Sequence, residues 1–150
     1  MIVGILDKFR KKALYTSRLD FSVRGTQYYQ DSFTKLQLAN PLWNSTLELI
    51  MECHKTMDKI PEFYYTNHPV KLVAEPKNEH DPNAIKVLIN GKMIGYVPAE
   101  LCLQVKEIMH NNPNYGLSAW IHGGKYKIVS SDGEANLFEN SITAVIYLYF

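Results

Sequence analysis

The sequence predicts a mainly β fold with attached helices, an α+β chain built around a small, partly closed antiparallel barrel. Three features predict it. An Asn90-Gly91 pair joins two apolar strands, a proline-stiffened polar loop precedes that hairpin, and the closing strand carries apolar residues at every second position.

Composition narrows the class of molecule. A length of 150 residues suits one domain with a proper core. The mixture of 46% hydrophobic and 21% charged residues is that of a globular protein, not of a disordered or membrane chain. A net charge of +1 gives no global basic field, which argues against non-specific coating of duplex DNA but leaves room for a local groove. Cys53 and Cys102 lie in apolar helical patterns and are too few for a disulfide scaffold. The five histidines are scattered, so no metal or other cofactor is expected, and a reducing cytoplasm is the natural compartment.

Residues 1–19 read as an amphipathic helical extension. Ile2, Ile5, Leu6 and Phe9 recur at helical spacing among Lys8, Arg10, Lys11 and Lys12. Apolar residues precede the charges and no small-residue cleavage site follows, the reverse of a secretory signal. Packing on the domain or on a protein partner is favoured over a membrane surface. Residues 20–150 then form the domain. Phe21 to Gly25 alternates and ends at a glycine, as a strand would. A first helix is expected from near Ser32, with Phe33 and Leu36 on one face, stopping before Asn40-Pro41. Ser45-Thr46-Leu47-Glu48 is a capping box opening a second, with Leu47, Ile50, Met51, His54 and Met57 on its stripe and Pro61 at its end. His54 is read as a helix residue with a backbone partner rather than as a ligand.

The remainder reads as β. Strands are expected at Glu62–Thr66 and Val70–Glu75. The run EPKNEHDPNA, Glu75 to Ala84, is crowded with turn formers, and its two prolines make it a shaped loop. The hairpin Ala84–Ile89 and Lys92–Val97 turns on Asn90-Gly91, which suits a type I′ turn. That turn sets a register with Val87 facing Ile94, Ile85 facing Tyr96, Lys86 facing Gly95 and Leu88 facing Met93. Pro98 fits a first helical position, and Leu101, Val105, Ile108 and Met109 form the stripe of a helix closing at Asn111-Asn112-Pro113. Leu117–His122 and Lys125–Val129 read as a second hairpin turning on Gly123-Gly124, followed by a turn at Asp132-Gly133. The last strand, Ser141–Phe150, sets Ile142, Ala144, Ile146, Leu148 and Phe150 on one face and Thr143, Val145, Tyr147 and Tyr149 on the other.

The contiguous stretch from Val70 to Pro98 resembles the HIRAN signature. That signature is an apolar strand, then Glu-Pro-x-Asn-x-aromatic/His-Asp-x-Asn-Ala-Ile-x-Val, then Gly-Tyr/His and a helix. Phe21 to Gly25 with Tyr28-Tyr29 resembles the opening strand and its tyrosine-bearing loop. Gly123 to Lys127 and the closing strand look like the tail of stand-alone bacterial or phage members. The resemblance implies an OB-like or SH3-like six-stranded antiparallel barrel with two or three helices. It also implies a DNA-binding module that takes the 3′ end of single-stranded DNA.

Carried onto this chain, Tyr28 or Tyr29 would stack on the terminal base. Asp81 would accept a hydrogen bond from the 3′ hydroxyl, which an anionic acceptor favours over a terminal phosphate. His80 stands where the family has an aromatic, and Tyr96 follows the glycine of the Gly-Tyr/His pair. Arg24 and Lys86 complete the candidate nucleic-acid-binding set. Gln27 and Ala99 stand at positions that are usually basic, so two phosphate contacts are missing. Asp81 also suits an Asx turn that only holds the loop, and Tyr96 also suits a core role.

Two functions compete. One is a single-stranded DNA-binding module, with a 3′-hydroxyl preference, in DNA repair or mobile-element metabolism. The other is a protein-interaction module with no nucleic-acid ligand, meeting its partner through the N-terminal helix or Phe63, Tyr64 and Tyr65. Catalysis is not expected. No nucleophile elbow, acidic cluster or role-complete set of side chains stands in the sequence.

Overall fold

The computed structural model describes residues 15–45 and 58–150. The N-terminal helical pattern before Tyr15, and the second helix with Cys53 and His54, lie outside the described residues. The strands are β1 (Arg18–Ser22), β2 (Gln37–Ala39), β3 (Lys59–Pro61), β4 (Phe63–Tyr65), β5 (Val70–Ala74), β6 (Ile85–Ile89), β7 (Lys92–Tyr96), β8 (Gly116–Val129) and β9 (Ala135–Tyr149). Among the described residues two α-helices accompany them, the short α1 (Gln30–Thr34) and α2 (Cys102–Asn111), with single 3-10 turns at Thr26–Tyr28 and Ala99–Leu101.

Among the described residues these strands form three antiparallel sheets rather than one closed six-stranded barrel. Their orders are β1-β9-β8-β3, β2-β4 and β5-β6-β7. The four- and three-stranded sheets face each other across one core. Its centre is Ile94, Val87, Ile146, Leu148, Phe33 and Val105, all fully enclosed. Burying each such side chain contributes about 1.5–3 kcal/mol. β9 shows the expected alternation, with Ile142, Ala144, Ile146 and Leu148 inside.

Several expectations change. The first helix ends at Thr34, and Gln37–Ala39 is strand instead, paired with Phe63–Tyr65. Buried Asn40 closes that strand, its amide donating to the Pro61 carbonyl at 2.7 Å and its oxygen accepting from the Leu42 N–H at 3.0 Å. Lys59–Pro61 is likewise strand rather than a helix end. It pairs only with β8, an edge position where proline's missing N–H is tolerated.

Gly123-Gly124 is not a hairpin turn. β8 runs through it without a break, and the pairing skips from His122–Thr143 to Gly124–Asn140. Both glycines have positive φ, and a Cβ on Gly123 would stand 2.2 Å from the Ser141 carbonyl oxygen. They form a bulge inside a long hairpin whose turn is at Asp132-Gly133. No short loop is available to a chain whose partner strand continues on both sides.

The β6–β7 register also differs. The Asn90-Gly91 turn is as expected, with φ of 49° and 74°, and Leu88 faces Met93. Beyond a bulge at Ile94, however, Val87 faces Gly95 and Lys86 faces Tyr96. The cause is a third chain segment. Arg24 exchanges backbone hydrogen bonds with Tyr96, N–H to O at 2.8 Å and 2.9 Å. At Gly95 a Cβ would lie 2.2 Å from the Arg24 carbonyl oxygen and 2.6 Å from Val23 Cγ1. Gly95 is therefore required by close backbone approach, at φ 147°.

Two substitutions separate that requirement from ordinary turn strain. Gly95→Ala is expected to lower unfolding free energy by about 3 kcal/mol, combining backbone strain with overpacking. Gly91→Ala, with open space around it, is expected to cost about 1–2 kcal/mol from left-handed backbone alone. Urea midpoints at constant slope measure both, and equal losses would refute the close-approach argument.

Candidate nucleic-acid interface

The Arg24–Tyr96 bridge brings the opening strand, the tyrosine turn and the hairpin to one place. Gly25, at φ 79°, reverses the chain after β1 and starts the 3-10 turn Thr26–Tyr28. The turn is anchored from below by Gln30. Its side-chain amide donates to the Thr26 and Ile142 carbonyls at 2.8 and 3.0 Å, and its oxygen accepts from the Ile142 N–H at 3.3 Å. Held this way, Tyr28 projects with 80% of its surface exposed, while Tyr29 is half-buried.

Beside Tyr29 stands Tyr96. Burial pushes its phenol up to about 12, helped by the Glu75 carboxylate, as hydrogen-bond acceptor and as charge, and by the Tyr29 hydroxyl. Tyr96 is thus neither plain core nor free ligand contact. Glu75 also faces Lys86 at 3.8 Å, and Arg24 faces Glu100 at 3.8 Å with both side chains well exposed. Tyr29, Glu75, Lys86 and Tyr96 therefore form one polar cluster, and the Arg24 backbone is bonded to it through Tyr96.

His80 and Asp81 sit on the loop that Glu75 opens, and its internal bonds explain its shape. The Asn78 side-chain oxygen accepts from the His80 and Asp81 N–H groups at 2.9 and 3.0 Å. One Asp81 oxygen accepts from the Asn83 N–H at 2.8 Å, the Asx turn that the Asp-Pro-Asn sequence suits. The other oxygen has no bond among the described residues. Asn83 in turn meets Lys106 of α2 at 3.5 Å. No described contact joins Asp81 or the exposed His80 to either tyrosine. Gln27 and Ala99, at the usually basic positions, are exposed and neutral.

Sequence reasoning missed Glu75 and Glu100 as members of the site. Glu75 was visible only as a strand end and the first residue of the Glu-Pro-x-Asn stretch. Its role depends on Lys86 and Tyr96 being opposite each other on β6 and β7, which the bulge decides. A cavity of about 730 Å³, lined by Tyr15, Asn111 to Tyr115 and Phe150, shares no residue with the cluster. Among the described residues no group of His, Cys, Asp and Glu could hold a metal ion, and no helix is long and apolar enough to cross a membrane. Cys102 is free and buried, and burial pushes its thiol up, away from reactivity.

Fold and cluster together define a mainly β module with few helices and an exposed aromatic and polar surface. The HIRAN domain family model matches residues 17–122, and the chain belongs to that family, known as a DNA-binding module rather than a catalytic one. Among solved structures, the HIRAN domain of human HLTF is similar at 20% identity with a TM-score of 0.40. The match covers 89% of this chain and 74% of that one. No curated protein matches.

The Tyr96 environment gives a titration prediction. Its folded-state value lies above the ordinary 10.0, so the stability it contributes is intact below about pH 10 and lost as pH rises through about 12. In ultraviolet difference titration, Tyr96→Phe should remove the latest-titrating phenol and Glu75→Gln should move it down. An unchanged final titration step in Tyr96→Phe would contradict the assignment.

Proposed function

We propose that this chain is a non-catalytic, cytoplasmic module that binds single-stranded DNA and prefers a 3′-hydroxyl end, serving DNA repair or mobile-element metabolism. The observation that carries this reading is Tyr28, a ring left 80% exposed on a turn held by glycine geometry and by Gln30. An exposed ring on an anchored turn offers a base a stacking surface. Tyr28 is therefore the proposed stacking residue, with Tyr29 and Tyr96 supporting it. Asp81, with one oxygen not used by its turn, is the proposed acceptor for the terminal hydroxyl, and His80 flanks it.

Arg24 and Lys86 are the proposed phosphate contacts. Both face a carboxylate at 3.8 Å. The Arg24–Glu100 pair is exposed, and such pairs are easily given up. Residues 20–150, with Arg18 and Leu19 at the start of β1, are proposed as the binding domain, and the residues before Tyr15 as an extension suited to a protein partner. An exposed pair favours the second reading, a protein-interaction module: Leu38 and Tyr64 face each other across β2 and β4, 51% and 44% exposed.

Fluorescence anisotropy on short strands ending in a 3′ hydroxyl or a 3′ phosphate tests the proposal. Wild type should prefer the hydroxyl, Asp81→Ala should erase the preference, and Tyr28→Ala should weaken binding by about 1–3 kcal/mol. No binding to either strand at low salt would overturn the DNA reading in favour of the protein-partner one. Glu100→Gln should free Arg24, tighten binding severalfold and steepen its salt dependence; an unchanged salt slope would remove Arg24 from the interface.

A further inference from the structure

The solvent face of the four-stranded sheet carries two aromatic stacks that the tyrosine cluster does not use. On one side of the Gly123-Gly124 bulge, Trp120 stacks on His122 with ring centroids 4.2 Å apart and planes at 26°. On the other side Tyr126 stacks on Phe138 at 5.3 Å and 17°. Trp120 is 56% exposed and Phe138 is 44% exposed. Parallel stacked rings on a solvated sheet present open π faces and edges, which a soluble protein has little reason to leave uncovered.

Each stack has a cation nearby. Arg18 lies 5.1 Å over the ring of Tyr147, which pairs with Ser118 two residues from Trp120. Lys59 lies 4.7 Å over Tyr126. Among the described residues of β1, β3, β8 and β9, the alternation puts one acid on this face, Asp20, and Arg18 holds it at 2.7 Å. Glu139 falls on the opposite face, across from Lys125. Rings beside Lys59 and an exposed Arg18–Asp20 pair, which a phosphate can displace, complement a flexible polyanion whose bases are free to stack.

We infer that this sheet face is a second binding surface, for the internal nucleotides of a single strand. It rests on the single-stranded DNA reading for its ligand class but not on capture of a 3′ end. Trp120 and Tyr126 are the stacking residues, one on each side of the Gly123-Gly124 bulge. Arg18 and Lys59 are the phosphate contacts. β9 joins the two surfaces, because Gln30 beneath the tyrosine turn bonds to Ile142 of the same strand.

Length dependence separates this surface from the end site. Full-length chain is titrated with 3′-phosphorylated oligothymidine of about four and about sixteen nucleotides, which leaves end preference out of the readout. The longer strand is expected to bind at least tenfold more tightly. Trp120→Ala with Tyr126→Ala should erase that advantage, while the preference of short strands for a 3′ hydroxyl stays as in wild type. Trp120→Phe should keep the advantage. If the alanine variant does not fold by circular dichroism, Arg18→Gln with Lys59→Gln, which leaves the rings in place, should lower the salt slope on the long strand alone. Equal affinity for both lengths, or a length advantage untouched in a folded ring variant or in the cation variant, overturns the inference. Loss of hydroxyl preference with the length effect intact would count against end capture and leave the sheet surface standing.

Discussion

Two hydrogen bonds between the backbones of Arg24 and Tyr96 hold this domain in its working shape. They join the segment leaving the four-stranded sheet to the end of the three-stranded one, so the sheets do not meet through side chains alone. The contact is possible because Gly95 has no side chain where the Arg24 carbonyl passes. Much else follows from that approach. The bulge at Ile94 shifts the register of β7, the shift sets Tyr96 opposite Lys86, and Glu75 is then within reach of both. A single position without a Cβ thereby orders a cluster whose members are separated by up to about seventy residues of chain.

How far the sequence speaks depends on the range of the interaction. The Asn90-Gly91 turn, the Asx turn at Asp81, the alternation of β9 and the stripe on α2 are local, and each was legible. The β6–β7 register was not, because a two-residue turn fixes pairing only until something distant intervenes. Arg24 is that distant element, and nothing in residues 84–97 announces it. Gly123-Gly124 misled for a related reason. A glycine pair suits a tight turn as well as a bulge, and only a partner strand continuing past it decides. Gln37–Ala39 became strand because Phe63–Tyr65 was available to pair with it.

The candidate site divides in the same way. That Tyr28 and Asp81 sit on turns was legible from the turn formers around them. Glu75 and Glu100 were not, since each acquires its place by facing a cation from another element. Their presence also changes the electrostatic character of the surface. Arg24 and Lys86 meet carboxylates before they meet any ligand, so the cluster is close to neutral, in keeping with a chain of net charge +1. Affinity on such a surface has to come chiefly from rings and hydrogen bonds rather than from ion release.

Gln30 gives the tyrosine turn a mechanical tie to the sheet. Its amide stands in for a neighbouring strand at Ile142, taking both the N–H and the carbonyl that face outward there. The counterfeit peptide group is supplied by a helix residue only one position after Tyr29. Any force that draws the turn away from the domain must therefore peel open the edge of β9, uncovering two backbone groups at once. A load on the aromatic tip is shared by the longest strand of the protein, and the turn yields only as far as that strand does.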